Sequence, residues 1–222
     1  MTAVIRMYEQ GPPAVLRYEQ ETIGEPHEDQ VLVRQAAVGV NHADIRYRNG
    51  HAHINRFPFV NGFEAAATIE AVGPGVRDFH VGDRVAYPFA AGAYAETRTI
   101  SPHRLLRIPD DVTFPRAAAV RAKGLTAQML VKRVHPIAAG DVVVVHTATG
   151  GVGTLVARWA PALGATVIGT IGLASKWQVA RRNGVIVTDN QDFGAHIHEI
   201  IEGKVVDVVY DGVGRGTPRS IT

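Results

Sequence analysis

From Met1 to about Pro109 the apolar residues come in short runs cut by Gly, Pro and Asp, a pattern that predicts many short strands joined by tight turns. Gln30–Arg34, Ala67–Val72 and Asp83–Tyr87 are such runs. Between them lie Gly73-Pro74-Gly75 and Gly82-Asp83, where glycine supplies positive φ and proline presets the turn. This half is expected to be mostly antiparallel β, folded as a compact barrel. The period then changes. Val142-Val143-Val144-Val145 is a β-branched run without polar alternation, as expected of a parallel strand covered on both faces. After a glycine-rich turn, Val152, Leu155, Val156, Trp159 and Leu163 recur at helical spacing. Ala165–Thr170 reads as a second strand, Ser175–Arg182 as a helix, Val185–Thr188 as a third strand, Ala195–Glu202 as a shorter helix and Val205–Tyr210 as a fourth strand. Such alternation predicts a doubly wound parallel sheet.

A complete dinucleotide fold has six strands in the order 3-2-1-4-5-6. The apolar pattern here stops after the fourth strand, and Gly214–Thr222 carries none, so the chain reads as C-terminally shortened. The expected division is 1–120 for the β-rich part and 121–222 for the partial dinucleotide-binding part.

Composition narrows the function classes. Hydrophobic residues at 46% and charged residues at 20% suit a packed globular chain, and a net charge of +2 gives no case for nucleic acid or an anionic membrane. With no cysteine, a disulfide scaffold, a thiolate zinc site and a cysteine nucleophile are excluded. No run approaches the roughly 20 apolar residues that cross a bilayer, and the N-terminus lacks the pattern of a signal peptide. A cytoplasmic protein is the expectation.

The chemistry begins at His146-Thr147-Ala148-Thr149-Gly150-Gly151-Val152-Gly153, which follows a strand and opens a helix. Gly150 and Gly153 let backbone approach a pyrophosphate, and the helix N-terminus offers N–H groups and a partial positive charge. Folds specific for NAD place an acid about 20 residues further on to bind the ribose diol. Between Val142 and Thr188 there is no acidic residue, while Arg158, Lys176, Arg181 and Arg182 are present. A carboxylate there would repel a 2′-phosphate, so NADP is the expected cofactor, with Lys176 its partner and Arg181 and Arg182 solvated helix faces.

The chain resembles the zinc-independent quinone oxidoreductases, relatives of zeta-crystallin in the medium-chain dehydrogenase/reductase superfamily. The resemblance rests on Gly39–Asp44, Pro58–Glu64, Val81–Tyr87, Gly92–Glu96, Lys123–Ala127, the glycine turn and Val206–Asp211, in family order. It implies an α/β chain in which a GroES-like β-barrel domain precedes an incomplete Rossmann doubly wound parallel sheet, with the cofactor NADPH between the two. It implies a small-molecule quinone or enone as substrate, no nucleic acid or membrane partner, and a homodimer whose interface segment is missing here. Zinc-dependent relatives carry a ligand histidine where this chain has Phe63, so no metal is expected. Family positions carry catalytic roles to Asn41 and Thr126. They carry cofactor contacts to Asn41, Lys123, Thr126, Gly150, Gly151, Val152 and Gly153, and a 2′-phosphate contact to Lys176. Taken by themselves, Asn41 also fits a turn former, Thr126 a helix cap and Asp44 a cap or orienting partner.

The implied activity is transfer of reducing equivalents from NADPH to a quinone, the protein holding the nicotinamide against the acceptor and excluding water. An enone or enoyl reductase and a truncated, non-catalytic nucleotide-binding remnant are the alternatives. The sequence departs from the family at Arg46 (with Tyr47 one place on from the usual tyrosine), Leu173, Thr147, the short Val187–Asn190 loop, and Pro161 inside the first Rossmann helix. The pairs His51/His53 and His196/His198 lack a third ligand, so metal binding is not expected of either, and His196/His198 is expected on a solvated helix surface.

Overall fold

The structure, a computed structural model, describes residues 1–182, 185–188, 193, 197, 200–201 and 203–214. The chain divides into two compact units, Met1–Ala122 and Lys123–Thr222.

In the first unit the short apolar runs become β1 (Thr2–Met7), β2 (Arg17–Glu21), β3 (Val31–Gly39), β4 (Phe59–Val60), β5 (Glu64–Val72), β6 (Arg84–Tyr87), β7 (Thr97–Ile100) and β8 (Leu106–Arg107), with the helix α1 (His42–Arg48) between β3 and β4. They form two antiparallel sheets, β2-β1-β4 and β7-β3-β5-β6-β8. The sheets meet where the Ile5 N–H donates to Tyr94 O (2.8 Å) and the Glu96 N–H to Ala3 O (2.9 Å). β3 runs five residues past Arg34, and its pairing with β5 takes up register irregularities at Leu32/Val33 and Gln35/Ala37; a bulge re-aims a strand without ending it.

One face of the larger sheet buries Val31, Val33, Ala65, Ala67, Ile69, Val85 and Tyr87. On the other face, Ala66 and Ala86 pack with Ala117 and Ala118 of helix α2 (Phe114–Met129). Small side chains there admit the helix close to the sheet. A π-helical turn, Leu130–Val134, continues α2.

The second unit holds β9 (Val142–His146), α3 (Gly151–Ala162), β10 (Thr166–Thr170), α4 (Trp177–Arg182), β11 (Ile186–Thr188) and β12 (Val208–Tyr210). All pairings are parallel and the order is β11-β10-β9-β12, which is 3-2-1-4 in order of appearance, as the strand pattern predicts. The valine run explains itself by faces. Val143 and Val145 pack with Val156, Ala157 and Ala160 of α3, whereas Val142 and Val144 pack with Ile168, Phe193 and Ile197 on the opposite side.

Three local expectations change. Thr126 does not sit at a helix start, because α2 begins twelve residues earlier at Phe114, so it cannot cap that end. Pro161 is accommodated in the last turn of α3. The fourth strand begins at Val208 rather than Val205; before it, Asp207 exchanges two bonds with Val142, N–H to O at 3.0 Å and Oδ2 to N–H at 2.7 Å. Of the expected helix over 195–202, Ile197, Ile200 and Ile201 are helical. Ala195, His196, His198, Glu199 and Glu202 lie outside the described residues, as do Asp189, Asn190 and the tail from Arg215. Among the described residues no helix is long and apolar enough to cross a membrane.

Candidate functional site

Ligands of doubly wound sheets bind outside the carboxyl ends of the strands where the order reverses, here between β9 and β12. His146 ends β9, buried, with Nδ1 2.9 Å from the Thr170 hydroxyl. Its ring meets Phe193 edge-on at 5.2 Å. Thr147 follows in the left-handed region at φ 57°, unusual for a β-branched residue. The Thr147 hydroxyl donates to His146 O (2.6 Å) and its carbonyl accepts the Gly150 N–H (2.8 Å). Gly150 is then the N-cap of α3. The first bond of the helix runs from the Thr154 N–H to Gly150 O (2.9 Å), which leaves the N–H groups of Gly151, Val152 and Gly153 ahead of the helical ladder.

Two glycines of the turn have their own packing reasons. A Cβ on Gly153 would lie 2.2 Å from Thr147 O, and one on Gly151 would lie 2.8 Å from Cδ and 3.0 Å from Cε of Lys123. Hence the stem of Lys123 crosses the start of α3. This brings together Lys123 and the glycine turn, residues 28 apart in sequence. Thr126 is half-buried, one turn further along α2. Lys176 is exposed at the end of a 3-10 turn, Ala174–Lys176, beyond the carboxyl end of β10. The Arg181 guanidinium lies 5.8 Å over the Trp177 ring, consistent with its expected place on a helix face.

Burial pushes the His146 imidazole below its usual 6.5, opposed by the Asp211 charge. The unfolded chain therefore gains a proton near pH 6.5 that the folded chain refuses, so this residue's contribution to stability is present above that pH and lost as pH falls. Chemical denaturation at pH 7.5 and 5.5 is expected to show a smaller loss of stability in His146→Gln than in the wild type.

Asn41 belongs to the first unit, where it is the N-cap of α1. Its N–H donates to Asp44 Oδ2 (2.8 Å), which also accepts the Tyr94 hydroxyl (2.9 Å). Asp44 is thus a cap, as one of its sequence roles requires. Burial, then the neighbouring Asp44 charge, pushes the Tyr94 phenol well above its ordinary value, so it remains a donor. The Asn41 amide donates to Glu64 Oε1 (2.9 Å), whose second oxygen accepts the Ala122 N–H (2.8 Å). Phe63 stands in ring contact with Tyr47 (4.6 Å) and Phe59 (6.4 Å). Its side chain has no donor atom for a metal. His51 and His53 are exposed, and among the described residues no group of three or more His, Cys, Asp or Glu could hold a metal ion.

Residues 27–110 match the alcohol dehydrogenase GroES-like domain and 151–220 the zinc-binding dehydrogenase domain. Quinone oxidoreductase 1 of Escherichia coli is 38% identical over 98% of this chain and 68% of its own length. The 2-haloacrylate reductase of a Burkholderia species is 42% identical over 98% of this chain and 67% of its own. The chain belongs to the quinone oxidoreductase family of medium-chain dehydrogenases/reductases. The crystal structure of E. coli quinone oxidoreductase complexed with NADPH superposes with a TM-score of 0.92 at 37% identity, over 97% of this chain and 67% of that one. The chain spans about two thirds of the length of these relatives. Membership accounts for the order of segments along both units, and for the glycine turn between a valine strand and an amphipathic helix.

Sequence reasoning did not assign site roles to Glu64, Tyr94 or His146. The only local signs were two glycines at points of close approach. A Cβ on Gly39 would lie 2.4 Å from Glu64 Cγ, and one on Gly62, at φ 84°, 2.3 Å from the Tyr94 ring.

Proposed function

We propose that this chain is an NADPH-dependent quinone reductase that works without zinc, with residues 1–120 as its GroES-like domain, 121–222 as its NADP-binding domain and the cytoplasm as its location. The observation that carries the proposal is the start of α3: three N–H groups ahead of the ladder, with the Lys123 stem laid across Gly151. A pyrophosphate fits there because the glycines leave backbone exposed and the helix dipole favours an anion. Lys176 then holds the 2′-phosphate, with no acid between Val142 and Thr188 to repel it. When bound, NADPH supplies the hydride. The chain's own work is placement: Gly151, Val152 and Gly153 bind phosphate through N–H groups, while Asn41 and Thr126 contact and orient the cofactor. Phe63, with no metal-binding atom, contributes an apolar ring that excludes water.

Charge reversal at Lys176 tests this. Lys176→Glu is expected to weaken NADPH binding by about 10- to 100-fold, the scale of one hydrogen bond to a charged group, and to leave NADH binding nearly unchanged. Fluorescence titration with both nucleotides reads it, and equal affinities of the wild type for NADPH and NADH would overturn the assignment. Reduction of an activated carbon–carbon double bond is a second reading, favoured by the 42% identity to the protein named 2-haloacrylate reductase. Comparing kcat/KM for a simple quinone and for 2-chloroacrylate separates the two.

A further inference from the structure

We propose that His146 and Thr170 are positioning residues that hold the glycine turn and the Lys176 turn at one fixed separation, so that a single nucleotide can bridge both. That the bridging ligand is NADPH rests on the function proposed above; the tie between the strand ends does not.

β9 and β10 pair in parallel from Thr166↔Val142 to Thr170↔His146. His146 and Thr170 are therefore the last rung before each strand leaves the sheet, β9 into the glycine turn and β10 towards Lys176. Earlier positions on this face are apolar, with Val142 and Val144 packing against Ile168, Phe193 and Ile197. The last rung is polar yet equally buried, His146 being 3% and Thr170 0% exposed. Such a pair is tolerable only when hydrogen-bonded, and His146 Nδ1 lies 2.9 Å from the Thr170 hydroxyl. Apolar contact is non-directional, whereas a hydrogen bond fixes distance and angle together.

Both turns hang from this rung. On one side the Ala148 N–H donates to Thr170 O (3.2 Å). The Ala148 methyl lies over Gly169, where a Cβ would meet it at 2.6 Å. On the other side the Trp177 indole N–H donates to Ile171 O (3.4 Å) and the Lys176 N–H to Leu173 O (2.9 Å). The tie thus runs from the glycine turn through His146 and Thr170 to Lys176, all within the second unit. Two sites that share one ligand strengthen each other only while their spacing matches it.

Thr170→Val keeps the shape and removes the hydroxyl. The full chain and its variants are titrated with NADPH and, separately, with two anionic parts of it, inorganic pyrophosphate and adenosine 2′-monophosphate. In Thr170→Val, NADPH is expected to bind at least about 10-fold more weakly while each part alone changes by less than about 2-fold, because only the spacing is lost. The double variant His146→Leu with Thr170→Val removes both polar partners, an exchange that costs little stability. It is expected to regain most of the Tm lost by Thr170→Val and none of the NADPH affinity. A merely structural role would restore both, and that result overturns the proposal. So does unchanged NADPH binding in Thr170→Val, or an equal weakening of NADPH and adenosine 2′-monophosphate, which would make the loss local to the Lys176 turn. Hydrogen exchange of the Ala148 N–H reads the tie without any ligand. It is expected to speed up at least about 10-fold in Thr170→Val, as a local opening made easier; an unchanged rate overturns the proposal. If exchange speeds up but the wild type binds no NADPH, the tie stands and the nucleotide function falls.

Discussion

Gly153→Ala is expected to destabilise the second unit by about 2–3 kcal/mol, the upper range for forcing extra volume into a packed site, and to abolish NADPH binding. The new Cβ would lie 2.2 Å from Thr147 O, 3.0 Å from Thr147 C and 3.2 Å from Ala148 Cα. All three are backbone, so no side chain can swing aside and the start of α3 must withdraw from the end of β9. At about 2–4 °C per kcal/mol for a chain of this size, Tm falls by about 4–12 °C. Withdrawal also displaces the N–H groups of Gly151, Val152 and Gly153, on which the proposed phosphate binding depends. Gly24→Ala is the control: no atom lies within 4 Å of its Cβ and no positive φ is required, so stability stays within about 0.5 kcal/mol of wild type. Differential scanning calorimetry and a nucleotide titration decide the matter. Wild-type Tm in Gly153→Ala would mean that the helix and the turn are not in backbone contact.

Gly39→Ala is expected to cost at least about 2 kcal/mol for a related reason, with an added polar penalty. Its Cβ would lie 2.4 Å from Glu64 Cγ, 2.5 Å from Oε1 and 2.6 Å from Ala118 O. The Glu64 side chain could in principle give way, but it is fully buried between β5 and α2 and both of its oxygens are engaged. Any movement breaks the bond to Asn41 or the bond to Ala122, and a buried partner left unsatisfied costs about 1–3 kcal/mol. Urea denaturation measures the stability loss. The same variant should release the Asn41 amide from Glu64, read as faster exchange of its side-chain protons. Loss of stability without faster exchange would place the strain at Ala118 rather than at Glu64.

The two substitutions share one physical theme. In each unit a glycine lets a helix approach a strand end closely, β9 against α3 through Gly153 and β3 against α2 through Gly39. Side chains with proposed functional roles stand beside both contacts. Asn41 follows Gly39 by two residues, and Lys123 lies across Gly151. Removing a side chain at these points exposes N–H groups in one case and makes room for a carboxylate in the other.

The sequence by itself determined the alternation of strands and helices in the second unit and the order β11-β10-β9-β12. Valines on both faces of β9 demand cover on both sides, and parallel strands joined by right-handed crossovers admit few arrangements. It also determined the glycine turn and the acid-free stretch up to Thr188, both of which are local. Tertiary structure alone decided the extent of α2, since Phe114–Met129 is rich in alanine and shows no clear apolar stripe to mark its start, which is why Thr126 read as a cap. It alone decided that Glu64 meets Asn41 from 23 residues away, that His146 meets Thr170 across two strands, and that Lys123 reaches Gly151. These contacts depend on how closely elements distant in the chain can pack. Sequence records that closeness only as a small residue, without naming the partner that fills the space.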